Sequence, residues 1–215
     1  ALGTMEANAE TQYQTNNGLF GYSVNFKGNE DGIVWNTRWS QTLAHNYKDK
    51  IDNYVVGSQY RERAAEGMVG INRSWGYSHL KLSYYNLSPG IAEGERSDSY
   101  TYAKELPFQQ VYHYKVVSDN SFFLGNGTLQ AILAYQQNHR QEYEESPVEP
   151  GLGMKLHTIN YDVKYRLPIT NSWNIATGIN GMYQKMLNEG DEYLIPAYNL
   201  FDVGAYATSS YKVGA

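Results

Sequence analysis

Hydrophobic and polar positions alternate along most of the chain. In the stretch LHTINYDVKYRL, residues 156 to 167, His157, Ile159, Tyr161, Val163, Tyr165 and Leu167 interleave with Thr158, Asn160, Asp162, Lys164 and Arg166. A period of two puts the first set on one face of a strand and the second on the other. Comparable alternation predicts strands at Met5 to Gln14, at Phe20, Tyr22, Val24 and Phe26, at Ile33, Trp35, Trp39 and Leu43, and at Ala65, Val69 and Ile71. It continues at Leu80, Leu82 and Tyr84, at Tyr112, Tyr114 and Val116, and at Leu129, Ala131, Leu133 and Tyr135. Beyond the opening stretch it recurs at Trp173, Ile175, Ile179 and Tyr183, and at Phe201, Val203, Ala205, Ala207 and Tyr211. An all-β chain of about ten strands follows, with no helical period.

The connections carry a second pattern. NYKDKIDNYVVGSQY, LSPGIAEGERSDSYTYAKELP, EESPVEPGLG and NEGDEYLIP are long and polar, whereas GNEDG, NRSWG, SDNSFFLGNG and PITNS are mostly compact turn sequences. From the second strand onward long and short connections alternate, so the long ones gather at one end of a meander. Outer-membrane barrels are built this way, with short periplasmic turns and long extracellular loops. If Met5 to Gln14 rises from the periplasm, QTNNG is the first, short, extracellular turn and every later long loop lies outside. Trp35, Trp75 and Trp173 then fall near the short-turn end, where an aromatic girdle meets the interface.

Composition sharpens the choice of what the apolar face meets. The chain has 215 residues, 21 Tyr against 6 Phe, 20 Gly, no Cys and a net charge of −5. No run approaches the roughly 18 apolar residues of a membrane helix, and ALGTMEANAE has no signal-peptide pattern. Without cysteine there are no disulfides or thiolate metal sites, and the acidic balance argues against nucleic acid. Tyr13, Tyr22, Tyr84, Tyr112, Tyr114, Tyr135, Tyr161, Tyr165 and Tyr183 all sit on the apolar face. So many hydroxyls suit a lipid-facing wall better than a dry sandwich core. The polar face is then a lumen carrying Arg38, Glu62, Glu66, Lys81, His113, Lys115, Asp162, Lys164 and Arg166, and that many ionisable groups indicates a wide barrel.

The runs TQYQTNNGLFGYSVNFKGN, GIVWNTRWSQTLAHNYKDK, GINRSWGYSHLKLSYYNLSPGIAEGERS, LPFQQVYHYKVVSDNSFF, ILAYQQNHRQEYEE and LIPAYNLFDVGAY resemble the early barrel of TonB-dependent outer-membrane receptors, in particular those of Bacteroides-like bacteria. The resemblance covers nearly the whole chain. It implies a transmembrane antiparallel up-and-down barrel of 22 strands, a plug domain within it, and uptake of a scarce nutrient such as a ferric siderophore, haem or cobalamin. The implied partners are the receptor's own plug, TonB of the inner-membrane energising complex, the small-molecule nutrient and outer-membrane lipid, with no resident cofactor. The expectation is a piece of the barrel domain over 1–215, starting just after the plug, with no plug or TonB-contacting box ahead of Met5 and an end, SSYKVGA, without a terminal aromatic.

Candidate chemistry is sparse. There is no Gly-x-Ser-x-Gly elbow, His-Glu-x-x-His pair or phosphate loop, so no catalytic residue is named. Ligand contact is expected from extracellular loops and the upper lumen, at Tyr54, Tyr60, Arg61, Arg63, Tyr100, Tyr102, Arg140, Tyr143 and Tyr193. The plug is expected against the nine lumen residues. His79 and His113 read as solvated lumen side chains, and His139 and His157 as interfacial ones. The acidic groups Glu93, Glu95 and Asp98, and Glu189, Asp191 and Glu192, lack a defined calcium-loop spacing and read as solvated. Two alternatives stay open: a complete ten-stranded barrel acting as a passive pore or surface hydrolase, and a secreted β-sandwich that binds glycans.

Overall fold

A computed structural model of the chain describes residues 3–50 and 53–213. Ten long strands form one antiparallel sheet: β1 (Thr4–Gln14), β2 (Leu19–Glu30), β3 (Ile33–Ala44), β5 (Tyr60–Arg73), β6 (Gly76–Pro89), β8 (Phe108–Leu124), β9 (Gly127–Tyr143), β10 (Leu152–Pro168), β11 (Trp173–Gly190) and β12 (Tyr198–Tyr211). They follow one another as a meander, each paired with its neighbours along the chain. Two short strands, β4 (Tyr54–Val55) and β7 (Arg96–Ser97), pair across two of the long loops. The alternation anticipates all ten long strands but not this small pair, which is too short to show a period. No helix occurs among the described residues.

The sheet is open. β1 and β12 stand at its two ends and do not pair with each other, so no closed barrel is formed among the described residues. Each long strand contacts only its neighbours in the sheet, and no second layer packs on either face. A β-sandwich needs such a second layer to hold its core. The accessible surface is 13601 Å², whereas a compact water-soluble monomer of this mass exposes roughly 10,000 Å². The excess is what an uncovered single sheet leaves open.

Register assigns every side chain to a face. Phe26 lies opposite Ala7 and Thr37, Trp39 opposite Val24 and Ala65, and Leu82 opposite Gly67 and Val116. Farther along, Leu133 is opposite Ser118 and Tyr161, Ile179 opposite Val163 and Ala205, and Tyr183 opposite Ile159 and Phe201. These residues share one face and build a continuous apolar belt, its members well exposed: Leu133 by 56% and Val203 by 62%. The belt occupies only part of each strand. In β9 it runs from Leu129 to Tyr135, and the same face continues as Gln137, His139 and Gln141 toward the long-loop end. Seventeen residues in β9 extend about 55 Å, far beyond the 9 to 11 residues of a spanning strand. The belt therefore sits toward the short turns and the polar ends project past it.

Short turns at one end are chemically determined. Asp31 and Gly32 both adopt positive φ, 45° and 74°, the backbone of the tight type I′ hairpin that matches strand twist. At the other end the segments 45–50, 53–59 and 90–107 fold against each other into a cap. β4 and β7 join them, with the Arg96 guanidinium 3.3 Å from Asp49 and Asn53 donating to Asp98 at 2.7 Å. Here the molecule has a small core: Ala44, Val55 and Phe108 are buried, as are His45, Asn46 and Gln59.

Candidate ligand-binding surfaces

All nine lumen candidates lie on the face opposite the belt. Arg38 is directly across from Glu66 and Glu66 from Ser83, while Ser83 is across from Lys115. Lys81 pairs with Asp119 at 2.7 Å; Asp119 belongs to SDNSFFLGNG, expected as a turn, but β8 runs on through it to Leu124 and the turn itself is only the two residues before Gly127. Glu62 and His113 stand on the same face nearer the long loops, with Asn138 bonded to His113 at 3.4 Å. Asp162, Lys164 and Arg166 follow one another down β10, with Asp162 facing Asn180 and Ile132, Lys164 facing Gln130 and Arg166 facing Thr128. Between β3, β5, β6 and β8 this face forms a shallow recess lined by Glu66, Lys81 and Lys115. Mixed charge over a wide surface of this kind can hold another polar domain by scattered ion pairs, and it offers no reactive constellation.

The belt face answers the problem of its tyrosines. Several of these hydroxyls find a partner within the protein. Tyr161 reaches across Gly181 to donate to the Asp202 carbonyl at 3.2 Å, and Tyr183 donates to Asn199 at 3.1 Å. Tyr135 Oη is 2.8 Å from His157 Nδ1, and Trp39 Nε1 donates to Tyr22 at 3.2 Å. Gly181 is required for the first of these, because a Cβ there would collide with both the Tyr161 ring and the Asp202 carbonyl. At the short-turn margin Trp75 stacks on Phe122 at 5.5 Å and Trp173 donates to Ser209 at 2.8 Å. His139 and His157 do lie on this face above the belt; His139 and Lys155 both engage Glu189, at 2.8 and 2.6 Å.

The nine ligand candidates separate into groups. Tyr54, Tyr100 and Tyr102 surround His45, with ring centroids 5.9, 4.8 and 5.3 Å from the imidazole. Tyr102 Oη also donates to the Gly18 carbonyl at 3.0 Å, so this cluster pins the first turn to the two loops of the cap. A side chain at Gly18 would strike both His45 and Tyr102. Tyr60, Arg61, Arg63 and Tyr102 line a cavity of about 180 Å³ together with Gln59, Asn86, Ser88, Lys104, Gln110 and Tyr112. Arg140 lies on the face opposite the belt beside Glu142 at 3.4 Å, Tyr143 stacks on Phe108 at 4.7 Å, and Tyr193 stands apart in the 191–197 loop.

The cavity's position differs from the expected upper lumen. Arg61, Arg63, Asn86, Ser88, Gln110 and Tyr112 belong to the same face as the belt, and Tyr102 and Lys104 of the second long loop complete the lining. Lys104 lies over the Phe108 ring at 4.0 Å; burial, aided by the neighbouring Arg61 charge, lowers its pKa from the ordinary lysine value. His45, Gln59, Lys104 and Gln110 escaped the sequence reading. The available signal was polar residues replacing apolar ones at the loop-side ends of three successive strands, visible only once their register is known.

Among the described residues no three His, Asp or Glu side chains converge on a metal-sized site. Of the acidic loop groups, Asp98 accepts from Asn53 and Glu189 is engaged by Lys155 and His139. Compared with family models, curated proteins and solved structures, the chain matches none of them.

Proposed function

We propose that this chain forms part of the wall of an outer-membrane transport barrel of the TonB-dependent receptor type. The observation that carries the membrane half of the reading is the continuous, uncovered apolar belt, backed by a polar face of opposite character on the same single sheet. In water such a belt would associate or aggregate; against lipid it is satisfied. The unpaired edges of β1 and β12 would be completed by further strands of a wider barrel, since an open edge is not tolerated in hydrocarbon. The sequence resemblance supports the transport half. In this role the cap and upper surfaces meet a scarce nutrient, the charged face opposite the belt meets a plug domain, and energy comes from TonB.

Two experiments test the two halves separately. Quenching of Trp39 and Trp173 fluorescence by brominated acyl chains tests the wall, with strong quenching of both expected. A soluble, unquenched monomer would overturn it. For transport, disruption of the gene encoding this segment is expected to abolish TonB-dependent uptake of one nutrient among ferric siderophores, haem and cobalamin. Unaltered uptake of all three would overturn that assignment.

A further inference from the structure

The cavity over β5, β6 and β8 gathers three positive charges that no carboxylate neutralises. Arg61, Arg63 and Lys104 line it, and none of them lies in an ion pair with a carboxylate among the described residues. The Arg63 Nε is buried without a hydrogen-bond partner. A buried, unsatisfied guanidinium nitrogen ordinarily costs stability unless something fills its place. Neither acid adjoining these cations in sequence neutralises them: Glu62 belongs to the opposite face by alternation, and Glu105, which accepts from the Gln59 amide at 3.4 Å, lies in no ion pair among the described residues.

The rest of the lining is made of neutral hydrogen-bonding groups held in place. Ser88 donates to Gln110 Oε1 at 2.6 Å and Asn86 to the Val111 carbonyl at 3.0 Å. The cavity, at about 180 Å³, exceeds the ~30 Å³ of one water, so a multi-atom group fits. Its height is equally informative. Arg63 and Asn86 sit one step along their strands, about 7 Å, above Ala65 and Tyr84 of the belt. That is the level of headgroups standing over acyl chains.

We infer that this cavity is a binding site for a phosphate group, carried by a lipid headgroup beside the belt or arriving free from solution. Two guanidinium forks and an ammonium match a tetrahedral dianion, whereas a carboxylate would occupy one fork and leave the other charges unmatched. The lipid source rests on the membrane reading given above; the free source does not.

The chain folded into micelles is titrated with inorganic phosphate and, separately, with acetate, following phosphorus line broadening and competition. The chain in phosphatidylcholine nanodiscs is titrated with phosphatidic acid, and retained lipid is counted by native mass spectrometry. Phosphate is expected to bind and acetate not. Phosphatidic acid should be retained about tenfold over phosphatidylcholine, with R61Q/R63Q/K104Q losing at least that preference and Lys27→Gln on the other face leaving it unchanged. Lys104→Gln alone, in an exposed loop that cannot unfold the sheet, should weaken phosphate by about threefold. Phosphate binding without enrichment of phosphatidic acid would support the site and assign it to the free ion. A chain that binds phosphate yet fails to enter nanodiscs would leave the site standing and remove the membrane reading. Equal response to phosphate and acetate, or full retention by the triple variant with unchanged strand circular dichroism, would overturn the inference.

Discussion

The belt lies along the long strands and the cap on the loops that join them, and the two obey opposite rules. In the belt, large apolar side chains such as Leu133, Ile179 and Val203 are open on a single layer. In the cap, a few residues, with Phe108 only 1% exposed and Ala44 fully covered, form a closed packing unit around buried polar groups. The belt draws no stability from side-chain burial within the chain beyond cross-strand pairs, each worth about 0.2 to 1 kcal/mol. The cap resembles an ordinary protein interior held by loop-to-loop hydrogen bonds. One region depends on its solvent and the other on its own contacts.

That contrast can be broken from either side. The largest effect is expected for Phe108→Ala, which removes the ring held between Tyr143 and Lys104 and should cost the cap about 3 to 5 kcal/mol. Limited proteolysis should then cut loops 45–59 and 90–107 in water and in lipid alike, with the long strands intact. Val163→Arg, in the middle of the belt opposite Ile179 and Ala131, should cost about 2 to 4 kcal/mol. It should do so only in a bilayer, so comparison of urea unfolding from vesicles with secondary structure in mild detergent separates the two. If Val163→Arg were equally costly in both media, the belt would be a packed core after all.

A smaller change tests the charged face. Asp119→Asn removes a partly exposed partner of Lys81 and should alter stability by about 0 to 1 kcal/mol, a limit checked by the same unfolding curves. The smallest effect concerns pH. Lys104 has its pKa lowered by burial and by Arg61, so between that lowered value and the ordinary one the unfolded loop binds more protons than the folded cap. The cap should therefore tighten slightly as pH rises through this window and loosen again to a constant level below it. Hydrogen exchange of residues 102 to 108 reads this out, and Lys104→Gln should abolish the dependence. A cap that loosens on raising pH would mean the ammonium's contact with Phe108 outweighs its burial.

The sequence by itself determined the ten strands, their order, the alternation of short and long connections and the division of side chains into two faces. The reason is local: strict alternation admits one strand period, and Asp-Gly admits a tight turn. Thus alternation alone assigns Asp162, Lys164 and Arg166 to one face. Only the tertiary structure decided which strand ends meet which loop. Arg61 and Arg63 are expected from sequence among the extracellular loops and the upper lumen; alternation with Glu62 already separates them from the polar face, but only the fold brings Lys104 of a distant loop to the same cavity. His45 acquired its ring of Tyr54, Tyr100 and Tyr102 in the same way. Long loops carry no period, so their partners depend on closure across tens of residues. That closure is set by the register of the strands beneath them and by the burial of a few side chains.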